Sequence, residues 1–114
     1  MNLTREDLPD GCLIAVNEPR LDAARAIHFK DGLRALAGEG AGRIVLDLGT
    51  VEFLDSSGLG AVVAAMKLFA PDRALELAAL TPPLEKVFRL TRMDGVFTIH
   101  PTADALRGAL RDAG

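Results

Sequence analysis

Hydrophobic residues along this chain fall into two alternating patterns. Short apolar runs, each ended by turn-forming residues, predict four β-strands at residues 12–16, 43–48, 74–78 and 96–99. Stretches with an apolar residue every three or four positions predict helices that begin near Asp22, Ser57 and Thr81. Predicted strands therefore alternate with predicted helices along the chain.

Two threonines mark the starts of the later helices. Thr81 precedes Pro82, so we expect its hydroxyl to cap the third helix, with the proline in the first turn where its missing N–H does no harm. Thr102 is expected to cap a fourth helix, which packs through Leu106 and Leu110. These helices would cover the faces of a small sheet.

The alternation of strands and helices predicts an α/β fold with a mainly parallel sheet. Parallel neighbours need crossover connections, and those connections are usually helices. Functional turns in such folds lie at the carboxyl ends of the strands. In this chain the turn at residues 55–58 has that position.

Size and composition narrow the class of protein. The 114 residues are 49% hydrophobic and 25% charged, and we expect a single domain over residues 1–114. With 13 basic and 16 acidic residues and a net charge of −3, no nucleic-acid partner is expected. Cys12, the only cysteine, lies in an apolar run and is expected in the core. Without a signal-like start or a membrane-length apolar run, we expect a cytoplasmic protein with no membrane insertion.

The most informative turn consists of Asp55, Ser56, Ser57 and Gly58, between a predicted strand and an uncharged helical stretch. Serine and aspartate are favoured helix N-caps, because a side-chain oxygen can accept a hydrogen bond from a free backbone N–H. The same N–H groups and the helix dipole favour a phosphate. The turn is therefore interpreted as a helix cap, a phosphorylation site, or both.

Catalysis by this turn is the less favoured interpretation. A nucleophilic serine needs a base and an orienting acid within reach, and only His28 and His100 could serve as the base. Leu54 or Asp55 stands where the G-x-S-x-G esterase motif has its first glycine. Asp47 lacks the acidic pair of a phosphoacceptor site and is expected to bond to a turn. We expect no catalytic residue, no metal and no cofactor.

A serine phosphorylated by another protein needs no base in its own chain, because the kinase supplies the catalytic groups, ATP and Mg²⁺. Phosphate on Ser56 would add about −1.5 to −2 charges beside Asp55. That charge would switch off the docking of a partner without refolding the domain.

Three parts of the chain resemble the STAS domain family, and within it the anti-sigma factor antagonists. The first is Ile44-Val-Leu-Asp-Leu48 followed by Phe53-Leu-Asp-Ser-Ser-Gly-Leu-Gly60. The second is Thr81-Pro-Pro-Leu-Glu-Lys-Val-Phe88 with Gly95-Val-Phe97, and the third is Leu21-Asp-Ala-Ala24. Together they place the resemblance over residues 12 to 110.

The resemblance implies a small four- to five-stranded, mainly parallel sheet flanked by about four helices. It also implies a non-enzymatic protein that binds an anti-sigma factor and so frees a sigma factor. In such proteins the serine directly after the aspartate is phosphorylated by an anti-sigma factor that is also a serine kinase, and a phosphatase resets it. By position that serine is Ser56, and Asp22, Asp55, Ser57 and Gly58 would bind the partner with it.

Two features depart from the family pattern. Pro19-Arg20 stands where the family usually has a glycine and an acid, which changes the charge beside the partner-binding turn. The connection at residues 70–73 is also shorter than the usual one.

The alternative interpretation is a STAS scaffold in chemotaxis signalling, a stress complex or a transporter, where the turn docks without being phosphorylated.

Overall fold

The computed structural model describes residues 1–107, which contain seven strands and three α-helices. The strands are β1 (Leu3–Leu8), β2 (Gly11–Val16), β3 (Arg20–Leu21), β4 (Arg43–Asp47), β5 (Phe53–Leu54), β6 (Leu75–Ala78) and β7 (Ile99–His100). The helices are α1 (Ala23–Ala37), α2 (Ser56–Phe69) and α3 (Pro82–Leu90). A 3₁₀ turn spans Met93–Gly95, and residues 104–107 are helical.

Five strands form one sheet in the order β1-β2-β4-β6-β7. β1 is antiparallel to β2, and the other neighbouring pairs are parallel. The predicted α/β fold with a mainly parallel sheet is therefore confirmed. β3 and β5 stand apart from this sheet as a parallel pair of their own.

Side chains of the central strands alternate between the two faces of the sheet. On one face, Ile14, Leu46 and Leu77 are fully buried in the main core. Phe29 of α1 and Phe88 of α3 join the same core and are also fully buried. Burying side chains of this size stabilises the fold by about 1.5–3 kcal/mol each, so this core fixes the helices on the sheet.

The opposite face is covered by the last residues that the structure describes. Six apolar side chains form the cluster there: Leu8, Leu13, Val45, Ala78, Ala103 and Leu106. Thr102 Oγ1 accepts a hydrogen bond from the backbone N–H of Ala105 at 3.1 Å, as the sequence predicts. Leu110, the second predicted contact of this helix, lies outside the described residues.

The predicted role of the Thr81 hydroxyl is wrong. Thr81 is the N-cap residue of α3, but its side chain makes no capping hydrogen bond. The buried hydroxyl donates instead to the carbonyl of Val51 at 2.6 Å. This bond ties the start of α3 to the loop between β4 and β5, which leads into the turn at Asp55.

The predicted last strand is also wrong in its position. Met93–Gly95 forms a 3₁₀ turn, and the residues that pair with β6 are Ile99 and His100. Phe97 packs edge-on against Phe88 with the ring centroids 5.9 Å apart. The apolar residue Phe97 therefore reaches the core from a turn, not from a strand.

Replacing Thr81 with valine would remove the donor to Val51 and keep the shape of the side chain. We expect the free energy of unfolding to fall by about 1–2 kcal/mol, because the carbonyl of fully buried Val51 loses this partner. Denaturant titration measures the difference. Thr91→Val is the matched control, since exposed Thr91 donates only to carbonyls one turn back in α3, and its change should stay within about 0.5 kcal/mol. Equal losses in the two variants would contradict the tether.

Candidate functional site

The predicted partner-binding residues are brought together by the short parallel pair β3 and β5. Arg20 pairs with Phe53 and Leu21 pairs with Leu54. Each strand runs directly into a helix, with Asp22 as the N-cap of α1 and Asp55 as the N-cap of α2. Because parallel strands in register end at the same edge, two capped helix N-termini lie side by side. We call this place, from Arg20 and Phe53 to the first turns of α1 and α2, the β3–β5 edge.

Asp55 acts as the helix cap that its residue type predicts. Its Oδ1 accepts a hydrogen bond from the backbone N–H of Gly58 at 2.8 Å, and its carbonyl accepts one from Leu59 at 2.9 Å. Helix α2 therefore begins at Ser56, one residue earlier than predicted. Ser56 and Ser57 are its first two residues.

Gly58 is needed for the close approach of α2 to β3. A Cβ atom at this position would lie 2.0 Å from the carbonyl oxygen of Leu21 and 2.8 Å from Leu54 Cδ1. Both distances are far below van der Waals contact. The glycine is thus required by the space between α2 and the β3–β5 pair.

Ser56 and Ser57 are both exposed in the first turn of α2. Neither hydroxyl makes a hydrogen bond to another group within residues 1–107, and the cap at this turn is made by Asp55. The two serines therefore present free hydroxyls at a helix N-terminus, where negative charge is favoured.

Asp22 is half-buried and holds the start of α1. Its Oδ1 accepts a hydrogen bond from the backbone N–H of Arg25 at 3.2 Å, and its Oδ2 lies 3.2 Å from Arg25 Nη1 and 3.4 Å from Arg20 Nε. The backbone N–H of Arg25, followed by the two arginine side chains, lowers the pKa of the Asp22 carboxyl below its usual value. Asp22 therefore carries a negative charge at neutral pH.

The groups considered for catalysis make no hydrogen bond to Ser56 or Ser57 in the part of the chain that the structure describes. His28 is exposed on α1, and His100 Nε2 lies 2.7 Å from Glu76 Oε1. Asp47 Oδ1 accepts a hydrogen bond from the backbone N–H of Gly49 at 2.9 Å, which is the turn contact expected of it. Residues 1–107 hold no group of three or more histidine, cysteine or acidic residues arranged to bind a metal. Helices long and apolar enough to cross a membrane are likewise absent from this part.

One pair at this edge was not predicted from the sequence. The guanidinium of Arg20 lies over the ring of Phe53, 4.0 Å from its centroid. The residues are 33 positions apart, and the strands that join them are two residues long. The charge of Arg20 was visible in the sequence as a departure from the family pattern, but its aromatic partner was not.

The fold and the β3–β5 edge define an α/β domain whose exposed serine turn sits at the carboxyl end of a parallel strand pair. Comparison with known proteins identifies the family of this domain. The model of the STAS domain family matches residues 3–106, and the chain belongs to that family.

Several similar proteins are named as anti-sigma factor antagonists. BtrV of Bordetella bronchiseptica, which carries that name provisionally, is 31% identical over 114 residues, and the match covers 99% of this chain and 97% of BtrV. The crystal structure of an anti-sigma factor antagonist from Mycobacterium paratuberculosis is 26% identical, with a TM-score of 0.78 over 96% of this chain and 95% of that one.

SpoIIAA, an anti-sigma factor antagonist and a Bacillus cell fate determinant, shares the fold. Its unphosphorylated form is 21% identical, with a TM-score of 0.70 over 97% of both chains. Its phosphorylated form is 19% identical, with a TM-score of 0.64 over 96% of this chain and 99% of SpoIIAA.

Proposed function

We propose that this protein is an anti-sigma factor antagonist controlled by phosphorylation of Ser56. It binds an anti-sigma factor that is also a serine kinase, and so frees a sigma factor for transcription. Phosphorylation of Ser56 ends the binding, and a phosphatase restores it. Family membership and the names of similar proteins support the antagonist function, and the phosphorylated form of SpoIIAA supports the switch.

The observation that carries the proposal is the position of Ser56. It is the exposed first residue of α2, directly after the cap residue Asp55. Asp55 already accepts the hydrogen bond from the backbone N–H of Gly58, so the residue that would accept the phosphate and the residue that caps the helix are different. Modification of Ser56 would therefore leave the cap in place, and the kinase would reach the hydroxyl without unfolding the helix.

The transfer itself needs no group from this chain. Ser56 Oγ attacks the γ-phosphorus of ATP, the bond from that phosphorus to the β–γ bridging oxygen breaks, and ADP leaves. The kinase base takes the serine proton, and its Mg²⁺ balances the phosphate charges. The chain contributes an accessible hydroxyl in a fixed position.

Charge explains how the modification would act on binding. A phosphate brings about −1.5 to −2 charges to the first turn of α2, where the helix dipole stabilises it. Asp55 and Asp22 already carry negative charge at the same edge. The added charge would thus change the β3–β5 edge as a docking surface while the fold is kept.

Incubation with the cognate kinase and ATP should place one phosphate on Ser56, located by mass spectrometry of peptides. Ser56→Ala should abolish the labelling, because it removes the acceptor oxygen. Ser57→Ala is the matched control, because Ser57 is also exposed. It should still be labelled, since it keeps the Ser56 hydroxyl. Labelling that survives unchanged in Ser56→Ala would defeat the assignment of the acceptor.

A further inference from the structure

An arginine and an aromatic ring are exposed together on the β3–β5 edge. The guanidinium carbon of Arg20 lies 4.0 Å from the centroid of the Phe53 ring, in cation–π geometry. The Arg20 side chain is 50% exposed and Phe53 is 39% exposed. The pair thus offers a positive charge and an apolar surface side by side.

The guanidinium of Arg20 is held in place, but not all of its N–H groups are hydrogen-bonded. Its Nε lies 3.4 Å from Asp22 Oδ2, a long ion pair, and its Nη1 and Nη2 make no hydrogen bond among residues 1–107. Arg25 differs, because its Nη1 binds Asp22 and its Nε faces Glu18 at 3.6 Å. Arg20 therefore has both terminal amino groups available to a partner, whereas in Arg25 one of the two is already bound to Asp22.

An oriented guanidinium is suited to anionic oxygen ligands, and the ones that unmodified protein side chains offer are carboxylates. Its planar fork presents two parallel N–H groups, which match the two oxygens of a carboxylate. Stacking on Phe53 restricts the side chain before binding, which reduces the entropy lost when a partner is bound. Arginine and aromatic residues are also the types enriched where protein interfaces gain most of their affinity.

Because the neighbouring side chains are acidic, Arg20 determines whether a partner can place a negative charge at this edge. Asp22 and Asp55 directly follow β3 and β5, and Glu52 directly precedes β5, so the pair of strands is flanked by acidic residues. Without Arg20, the nearby cation is Arg25, which is already paired with Asp22 and Glu18, whereas Arg20 offers an arriving carboxylate a donor pair. A partner with a basic residue opposite Arg20 would be rejected by repulsion.

We propose that Arg20 and Phe53 select the anti-sigma factor by binding an aspartate or glutamate side chain on it, with an apolar neighbour of that residue packed on the Phe53 ring. The proposal rests on the function proposed above, because it assumes that the β3–β5 edge binds an anti-sigma factor. It assigns the Pro19-Arg20 departure a role in partner choice.

Calorimetric titration of the purified anti-sigma factor with variants of the whole chain tests this. Arg20→Glu should weaken binding about tenfold or more, because a carboxylate then faces a carboxylate. Arg20→Lys should keep part of the affinity, since the charge remains and the fork is lost. Phe53→Ala should weaken binding about fivefold, through loss of the ring and of the stacking.

Arg34→Glu is the matched control for the change of charge. Arg34 is exposed on the last part of α1, about 18 Å along the helix from Asp22 at 1.5 Å per residue. Its affinity should stay within about twofold of the unchanged protein. Thermal melting shows whether each variant is folded. If Arg20→Glu is not folded, a second variant, Arg20→Gln, is tested in its place.

The outcomes separate the two proposals. Unchanged affinity of folded Arg20→Glu or Arg20→Gln, with weaker binding by Ser56→Asp, would overturn the role of Arg20 and leave the proposed function standing. No binding by the unchanged protein would overturn the proposed function.

Loss of self-association in Arg20→Glu with unchanged partner affinity would assign Arg20 and Phe53 to contact with a second copy and also overturn the inference. Restored binding by Arg20→Glu, when one acid of the anti-sigma factor is replaced by lysine, would support it.

Discussion

Replacing Gly58 with alanine is expected to lower the free energy of unfolding by about 3 kcal/mol. The added Cβ would stand 2.0 Å from the Leu21 carbonyl oxygen, which is backbone and cannot rotate away. Either the first turn of α2 or strand β3 has to move, and in both cases the β3–β5 pair is disturbed. Denaturant titration gives the loss of stability, and titration with the anti-sigma factor gives the accompanying loss of affinity.

Gly60→Ala is the matched control for this prediction. Gly60 lies two residues further along the same helix, and a Cβ there meets nothing within 4 Å. Alanine is favoured over glycine in helices by up to about 1 kcal/mol, so this variant should be as stable as the unchanged protein or more stable. Equal stability of the Gly58 and Gly60 variants would show that α2 does not need the close approach to Leu21.

Replacing Ser56 with aspartate should weaken binding to the anti-sigma factor about thirtyfold, and phosphorylation should weaken it more. The reason is like-charge repulsion and desolvation at the β3–β5 edge, where Asp22 and Asp55 already carry negative charge. The stability of the domain should change by less than about 1 kcal/mol, because the α2 N-terminus favours an acid while Asp55 opposes it. Calorimetric titration and thermal melting measure the two quantities.

Ser56→Asn separates charge from size, because asparagine has nearly the same shape as aspartate and no charge. It should bind close to normally, and raising the salt concentration should narrow the gap between the two variants. Undiminished affinity of Ser56→Asp would count against a charge mechanism. Equal weakening by asparagine and aspartate would indicate a steric mechanism instead.

The three central strands β2, β4 and β6 were predictable from the sequence, and polar β1 and the two-residue strands were not. β2 and β4 are buried on both faces and have apolar runs at their centres, and β6 is apolar except for half-buried Glu76. β1 has the sequence Leu-Thr-Arg-Glu-Asp-Leu and is mostly exposed at the edge of the sheet, where polar residues are favoured, so no apolar run marks it. Its place is fixed by antiparallel pairing with β2, a tertiary contact that local pattern does not record.

The candidate site was predictable residue by residue but not as an arrangement. Serine and aspartate are both favoured at helix N-termini, so the sequence marked the turn, and the structure gives the cap to Asp55. The choice of Ser56 as the phosphate acceptor came from the family resemblance. The partner of Thr81 did not follow, because Val51 is 30 residues away in the chain and approaches only in the folded domain. The stacking of Arg20 on Phe53 was hidden for the same reason.

The pairing of β3 with β5 also has a consequence for the nascent and the unfolding protein. Arg20–Leu21 and Phe53–Leu54 are two residues each, far too short to pair stably by themselves, and we expect them to meet only after β2, α1 and β4 have assembled. The surface that carries Ser56 is therefore complete only in a finished domain. A partner that binds this surface would not bind incompletely folded copies, and only folded molecules would take part in signalling.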